Sequence, residues 1–260
     1  MNRLFLLLAA TLALLTLTPL AALLFGASPA DVLSAATDAD VVLAVATSLA
    51  CAAIATMLAL VLGGAAGYVL ARRLVRGRGA IEALLDLPVV VPHPIIGIGL
   101  LLVLARGRLL GAALEGRFGV AIASAAPGIV LCMLVVSAPF VVKAALEGFR
   151  AVPMSTVNVA ATLGAPPWRR FLTIELPLAW PQIRAGAVLA WARAVSEFGS
   201  VVVFAYYPRT APVLIWDRFS SHGMGAALAP ASLLMLTCLA VFLALRWLAR
   251  GEPRVQELER

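Results

Sequence analysis

The sequence predicts an all-α polytopic membrane protein with six transmembrane helices. Of its 260 residues, 63% are hydrophobic and only 13% are charged, whereas a soluble domain carries about 25% charged residues. The apolar residues form six continuous runs that reach the spanning length of about 17–25 residues. These runs are rich in Ala and Leu and do not alternate as barrel strands do, so helices are expected to satisfy the backbone in lipid.

The six runs are expected to form one transmembrane domain over residues 1–260. The spans are predicted at Leu4–Phe25, Val41–Ala71, Pro88–Ala105, Val120–Val142, Gly186–Ala205 and Gly225–Leu245. The first run resembles a signal peptide, but it exceeds the usual apolar length of about 7–15 residues, so a retained helix is expected. The second run exceeds one membrane thickness and is expected to tilt or to project from the bilayer.

Glycines and prolines add local predictions to two of these runs. Gly63 and Gly67 form a Gly-x-x-x-Gly pair in the second run, and such a pair lets another helix approach closely. Pro88, Pro92 and Pro94 open the third run. Because proline removes a backbone donor, these residues predict a kinked or broken helix entry.

The basic residues predict the orientation of the chain. With Arg3 in the cytoplasm, the first external loop has no Lys or Arg, and the second is an exception with Arg106, Arg108 and Arg117. The cytoplasmic loops and tail then hold Arg72, Arg73, Arg76, Arg78, Arg150, Arg169, Arg170, Arg250, Arg254 and Arg260. This bias places both termini in the cytoplasm. The net charge of +7 is therefore attributed to membrane topology rather than to nucleic-acid binding.

The residue types that support catalysis or metal binding are sparse. Cys51, Cys132 and Cys238 lie in apolar runs without a nearby Cys or His, so buried thiols are favoured over a disulfide or a metal site. His93 and His222 lie far apart in sequence, and neither a metal site nor catalytic residues are predicted. No Gly-x-x-x-x-Gly-Lys-Ser/Thr run occurs, so ATP and magnesium are not expected to bind this chain.

The polar loop 150–184 is predicted to hold a short helix–turn–helix on the cytoplasmic side. Val157–Leu163 can form about two helical turns, and Gly164 suits the left-handed position that ends a helix. The pair Pro166–Pro167 fits the start of a second helix. This second helix is expected to end before the fifth span at two prolines, Pro177 and Pro181.

The second helix of the loop is predicted to be amphipathic. Its apolar face is expected to consist of Trp168, Phe171 and Leu172, while Arg169 and Arg170 stay solvated. Two interpretations fit this pattern. The loop either rests on the membrane surface or presents a small apolar surface to another protein.

The segment Asn158–Pro177 resembles the "EAA" loop of ABC-importer permeases. Ala160, Gly164 and the Ile174-x-Leu176-Pro177 tail keep its spacing, whereas Asn158 replaces the usual Glu and Val159 the first Ala. In that family the loop is a coupling helix that docks in a cleft of a separate ATPase. Losing the carboxylate removes one surface ion pair worth about 0–1 kcal/mol. The resemblance implies ATPase contacts for Asn158, Val159, Ala160, Gly164, Ala165, Trp168, Arg169, Ile174, Leu176 and Pro177.

Two further stretches resemble oxyanion permeases of the molybdate/tungstate family. Residues 86–102, DLPVVVPHPIIGIGLLL, resemble the third-helix entry of molybdate, tungstate and sulfate permeases. Residues 192–219 resemble the fifth helix and following loop of archaeal-type molybdate/tungstate permeases. The resemblance implies a homodimer of type I permease fold in the inner membrane of a prokaryote. It also implies two ATPase subunits, which bind ATP and magnesium, and an external oxyanion-binding protein. The implied docking residues are Tyr207, Arg209 and Asp217.

Two charges inside the fifth span invite two interpretations. Arg193 and Glu197 are four residues apart and share a helical face. Because charges at membrane depth are costly, the pair is expected to face protein or water. It either joins helices by mutual neutralisation or lines and gates the pathway, where Arg193 meets a passing oxyanion. Ser196 and Ser200 lie near this face and offer hydroxyl donors.

Other functions remain open from the sequence. A sulfate or thiosulfate permease of the same superfamily is the nearest alternative, since all these ions are tetrahedral dianions. An ion-coupled carrier or a membrane enzyme is the alternative from a different class. A carrier more often shows internal repeats, and no convincing repeat is found.

Overall fold

The computed structural model describes residues 2–105, 107–119 and 122–249, and within these ranges it is helical without strands. The predicted all-α class is confirmed. The helices are α1 (Asn2–Gly26), α2 (Pro29–Thr37), α3 (Ala39–Ala71), α4 (Arg78–Val90), α5 (His93–Leu104), α6 (Leu109–Phe118), α7 (Ala126–Ala151), α8 (Met154–Thr162), α9 (Pro167–Arg170), a π-helical turn (Phe171–Glu175), α10 (Leu176–Val195), α11 (Gly199–Phe204), α12 (Ala211–His222) and α13 (Met224–Ala249). Some sequence predictions concern residues outside the described ranges: Arg106, Val120, Arg250, Arg254 and Arg260.

Four of the described helices are long and apolar enough to cross a membrane: α1, α3, α7 and α13. They correspond to the first, second, fourth and sixth predicted spans. The fourth was expected to start at Val120, but its helix begins at Ala126 and continues to Ala151. The 33-residue helix α3 rises by about 50 Å at 1.5 Å per residue, which confirms that this span exceeds the hydrocarbon core of about 30 Å.

The third predicted span is not one straight helix. Residues 78–104 form α4 and α5, which are bent by 110° at a short break. Pro88 lies inside α4, while Pro92 caps α5. The predicted broken entry is therefore confirmed, and the helix that contains Pro88 begins ten residues earlier, at Arg78. With 12 residues, α5 is about 18 Å long and is too short to cross alone.

The fifth predicted span also differs from its sequence prediction. Its helix begins at Leu176, ten residues before the expected Gly186, and ends at Val195. The chain turns at Ser196 and resumes as α11. Pro177 lies in the first turn of α10, where a missing backbone N–H costs little, and Pro181 lies within the helix. The prediction that these prolines end a separate short helix was wrong, because the π-helical turn runs directly into α10.

The core is formed where α7 packs against α3 and α10, and these two helix pairs make the most extensive contacts within the described residues. Small residues allow the close approach. A Cβ added at Gly67 would lie 2.6 Å from Ala145 Cβ and 2.8 Å from Leu146 N. The Gly-x-x-x-Gly pair of α3 therefore faces α7 of the same chain. By contrast, α1 contacts mainly α13 and leaves most of its surface exposed.

Candidate functional site

Segment 150–184 forms two short helices joined by a tight turn. The first helix, α8, begins at Met154, a little before the predicted Val157. Gly164 adopts φ +81°, as predicted for a left-handed helix end. The backbone N–H of Ala165 donates to the carbonyl of Ala160 at 3.0 Å. This pattern ends α8 and satisfies one of its last carbonyl groups.

The part of this segment that precedes α10 exposes five large apolar side chains. They are Met154, Val159, Leu163, Trp168 and Leu172, and we call them the apolar patch. Leu163 is 82% exposed and Trp168 is 66% exposed. Both flank the Gly164 turn, which lies outside every helix long enough to span. An exposed apolar surface outside the lipid marks a contact with a membrane or another protein.

The other predicted contact residues divide between the surface and the interior. Asn158, Arg169 and Pro177 are exposed, whereas Ala160 and Ala165 are half-buried. Ile174 and Leu176 pack against a buried cluster around Phe149. Phe171, predicted on the exposed face, also packs there, and Arg170 is half-buried rather than solvated. Ile174 and Leu176 thus anchor the segment to the interior of the protein, while the residues around the Gly164 turn remain exposed.

Glu175 is a functional candidate that the sequence reasoning missed. It is 4% exposed, and its Oε2 lies 2.7 Å from Arg72 Nε and 2.6 Å from Arg72 Nη2. The Tyr68 hydroxyl donates to Glu175 Oε1 at 3.4 Å. The only sequence signal was a carboxylate between Ile174 and Leu176 at an otherwise apolar helix start. Its partner lies 103 positions away, and spacing cannot reveal such a contact.

A second polar cluster forms where α10 gives way to α11. Arg193 Nη2 donates to Glu197 Oε2 at 2.7 Å, which confirms the predicted i, i+4 pairing geometry. Glu197 is 1% exposed. Its Oε1 accepts hydrogen bonds from Ser200 N at 2.9 Å and Ser200 Oγ at 3.0 Å. This carboxylate replaces a helical acceptor for Ser200, which explains why the helix can break at Ser196 without leaving the donor unsatisfied.

The structure adds His93 to this cluster. Arg193 Nη2 lies 2.6 Å from His93 Nε2, and His93 Nδ1 lies 4.0 Å from Glu197 Oε2. The approach depends on glycine, since a Cβ at Gly199 would lie 3.0 Å from His93 Cβ. Sequence spacing treated His93 as isolated because 100 positions separate it from Arg193.

The cluster combines a buried anion with a cation that remains accessible. The Arg193 side chain is 23% exposed and that of His93 is 33% exposed. Ser196 is exposed, and its Oγ lies 3.4 Å from Arg193 Nη1. The partly exposed donors can therefore meet an anion, while Glu197 neutralises the guanidinium from the buried side. No group of His, Cys, Asp and Glu suited to a metal ion occurs among the described residues.

Ion pairs join the start of α3 to the region around α12. Arg218 Nη2 donates to Asp38 Oδ2 at 2.6 Å, and this hydrogen bond lowers the pKa of Asp38 below its ordinary value. Arg209 lies 3.3 Å from Asp40 Oδ2 and 3.9 Å from Asp217 Oδ2. Two of the three predicted docking residues, Arg209 and Asp217, thus make internal contacts.

Tyrosines complete this region. The hydroxyl of Tyr206 donates to Asp217 Oδ1 at 2.6 Å, and this hydrogen bond is the main cause that raises the pKa of Tyr206 to about 12. Its neighbour Tyr207 packs edge-on against the Tyr206 ring and is 59% exposed. Trp216 is also half exposed. The exposed aromatic rings, rather than the charged residues, are free to contact a partner here.

Comparisons with known protein families give one match over most of the chain. Residues 59–252 match the family described as binding-protein-dependent transport system inner membrane component. The matched range includes both segment 150–184 and the His93–Arg193–Glu197 cluster.

Individual relatives carry more specific names. The molybdate/tungstate transport system permease protein WtpB of Thermococcus kodakarensis is 44% identical over 190 residues, which cover 73% of this chain and 71% of the relative. The molybdenum transport system permease protein ModB of Escherichia coli (strain K12) is 32% identical over 188 residues, covering 70% and 82% respectively.

Solved structures resemble the overall fold. A bacterial ABC transporter involved in alginate import matches with a TM-score of 0.71 at 16% identity, over 97% of this chain and 98% of the other. An alginate ABC transporter in complex with a pentasaccharide-bound periplasmic protein matches with a TM-score of 0.67 at 17% identity, over 95% and 93%. At these identities, the likeness concerns the fold alone.

Proposed function

We propose, since this chain belongs to the family of binding-protein-dependent transport system inner membrane components, that it is the permease subunit of an ATP-driven importer of molybdate or tungstate. The relatives named for these ions are up to 44% identical to it. The observation that carries the mechanism is the apolar patch around the Gly164 turn. It lies outside the spanning helices and is attached to them through Ile174, Glu175 and Leu176.

The apolar patch is the docking surface for a separate ATPase. Leu163 and Trp168 supply the contact area, and Arg169 supplies a positive charge beside it. Asn158 is exposed on α8 and offers an amide in place of a carboxylate. The ATPase subunits bind ATP and magnesium and hydrolyse the nucleotide. The permease adopts two conformations, and the cycle of ATP binding and hydrolysis changes their relative populations.

The chain forms a single permease domain of six crossings and works as a homodimer with two ATPase subunits. Four crossings are α1, α3, α7 and α13, and the bent pair α4–α5 provides another. The sixth consists of α10 and α11, which are joined through the polar break at Ser196. Both termini then lie in the cytoplasm with segment 150–184, in keeping with the basic loops. The assembly resides in the inner membrane of a prokaryote.

The His93–Arg193–Glu197 cluster is the proposed gate of the oxyanion pathway. Glu197 is fixed by Ser200 and holds Arg193 from the buried side. A tetrahedral dianion that reaches Ser196 and Arg193 exchanges hydrogen bonds with water for charge-assisted ones. Because Glu197 keeps the site near neutrality, the anion is held weakly and can leave again, as a conduction pathway requires.

An external oxyanion-binding protein delivers the ion at the opposite end of the molecule. Tyr207 and Trp216 are the exposed residues suited to contact it. The ion pairs of Arg209 and Asp217 hold the surrounding loop in shape. This division revises the sequence-based proposal that all three of Tyr207, Arg209 and Asp217 touch the binding protein.

Assembly with the ATPase tests the docking proposal. We predict that Leu163→Asp abolishes co-purification of the ATPase with the permease in detergent, because a charge enters an apolar contact. Leu74→Asp is the matched control. Leu74 is 63% exposed and lies between α3 and α4, outside the patch, so its variant should retain the ATPase. Equal retention in both variants would refute docking at the patch.

A further inference from the structure

The junction between segment 150–184 and helix α3 depends on a buried ion pair. Arg72 directly follows α3, and Glu175 ends the π-helical turn. Only 12% of the Arg72 side chain and 6% of the Glu175 side chain are exposed. Both Arg72 Nε and Nη2 reach Glu175 Oε2, at 2.7 and 2.6 Å. Charges removed from water are stable only while paired, so the two residues are expected to move together.

An aromatic cluster adjoins this ion pair through Tyr68, whose hydroxyl donates to Glu175 Oε1. The Tyr68 ring lies 5.0 Å from the rings of Phe149 and Phe171, edge-on to both. Phe149 and Phe171 are 5.9 Å apart. These rings join α3, α7 and the π-helical turn at one point. The geometry is favourable for aromatic pairs, and it resists sliding of the turn along either helix.

The π-helical turn lies where the segment changes from exposed to buried side chains. Such turns insert a residue into the helical pattern and are frequent at functional sites. Before the turn, Trp168 is exposed, and within it Leu172 is 52% exposed. At its end, Glu175 is buried. One short stretch of chain therefore carries both the proposed docking surface and the buried anchor to α3.

We infer that Arg72 and Glu175 are positioning residues that transmit displacement of segment 154–172 to α3. From α3, the close contact at Gly67 carries the movement to α7. The inference rests on the proposed function, because it assigns the part that connects ATPase docking to the membrane helices. Without the pair, the apolar patch still docks, but α3 no longer follows it. Hydrolysis then continues without transport.

The test measures ATP hydrolysed per ion imported by the complete transporter in proteoliposomes. In Glu175→Gln this ratio should rise by about fivefold or more, the lower end of typical coupling between sites. The matched control is Glu82→Gln. Glu82 pairs with Arg150 at 3.6 Å, with side chains 35% and 45% exposed, and joins α4 to α7. Its variant should keep the wild-type ratio, because this pair links α4 to α7 rather than segment 154–172 to α3.

A purely structural role would give a different result. In that case uptake and hydrolysis would fall together with the amount of folded Glu175→Gln transporter, at an unchanged ratio, and the inference would be overturned. Arg72→Lys is the second variant if Glu175→Gln does not assemble. It keeps the charge but loses the guanidinium whose Nε donates to Glu175 Oε2, so an unchanged ratio would again overturn the inference. Absence of ATP-dependent uptake in the wild type would instead refute the proposed function.

Discussion

The contact between α3 and α7 at Gly67 gives a prediction whose size follows from the structure. An alanine Cβ at this position would lie 2.6 Å from Ala145 Cβ, 2.8 Å from Leu146 N and 2.9 Å from Val142 O. Ordinary carbon contacts are about 3.5–4.0 Å, so the two helices must separate by roughly 1 Å. Two of the three close atoms belong to the backbone of α7, and a side-chain rotation cannot relieve the overlap.

The expected cost of Gly67→Ala is about 1–3 kcal/mol, as for overpacking in other close-packed interiors. Since about 1.4 kcal/mol changes an equilibrium constant tenfold, the ratio of folded to unfolded protein should fall by roughly one to two orders of magnitude. Gly64→Ala is the control in the same helix, because a Cβ there meets nothing within 4 Å. Gly63→Ala should be intermediate, with its nearest contacts at 3.3 Å.

The assay is unfolding by sodium dodecyl sulfate in mixed micelles, followed by the loss of tryptophan fluorescence. All three variants gain the same intrinsic helix propensity, so differences among them report the fit against α7. We expect the unfolding midpoint to decrease in the order Gly64→Ala, Gly63→Ala, Gly67→Ala. Equal midpoints for Gly64→Ala and Gly67→Ala would refute the reasoning about the α3–α7 contact.

Three further predictions concern the turn, the charged cluster and the outer ion pairs. Gly164→Val should uncouple ATP hydrolysis from ion uptake in proteoliposomes, because a side chain at φ +81° costs about 1–2 kcal/mol. Gly164→Asn is the control and should still transport. Normal uptake by the valine variant would contradict the assignment of the turn. Glu197→Gln should destabilise the protein by up to about 3 kcal/mol, and adding Arg193→Gln should restore part of this lost stability in the same detergent titration. A double variant that is no more stable than Glu197→Gln would argue against the pair. Asp38→Asn keeps the helix cap but loses the charge that Arg218 pairs with. The folded pKa of Asp38 lies below the ordinary value of 3.8. The difference in stability between Asp38→Asn and wild type should therefore persist from pH 7 to pH 5 and vanish as the pH falls through that folded pKa. A difference that remains at that acid pH would contradict the stabilising role of the ion pair.

The sequence was sufficient where a physical signal is local. Continuous apolar runs predicted α1, α3, α7 and α13, because spanning length and composition can be read directly. Gly164 was predicted to end a helix, since few other residues accept positive φ. Proline was a poorer guide at Pro181. Proline usually breaks a helix. Pro181 nevertheless remains inside α10, because the neighbouring Ala179 and Ile183 are buried against other residues.

Long-range contacts explain what the sequence could not predict. His93 joins Arg193 and Glu197 only because the glycine contact between α5 and α11 brings them together. Glu175 is an anchor only because Arg72, which directly follows α3, lies beside it. Neither position has a partner at helical spacing. The pair Arg193–Glu197 could be predicted because its members are one helical turn apart.

Ion uptake tests the central claim of an oxyanion pathway driven by a separate ATPase. The permease is reconstituted in liposomes with its ATPase and binding protein, and uptake of molybdate, tungstate and sulfate is compared with and without ATP. The account predicts ATP-dependent accumulation of molybdate or tungstate in preference to sulfate, and none when the ATPase is omitted. Accumulation driven by an ion gradient without the ATPase would contradict the account.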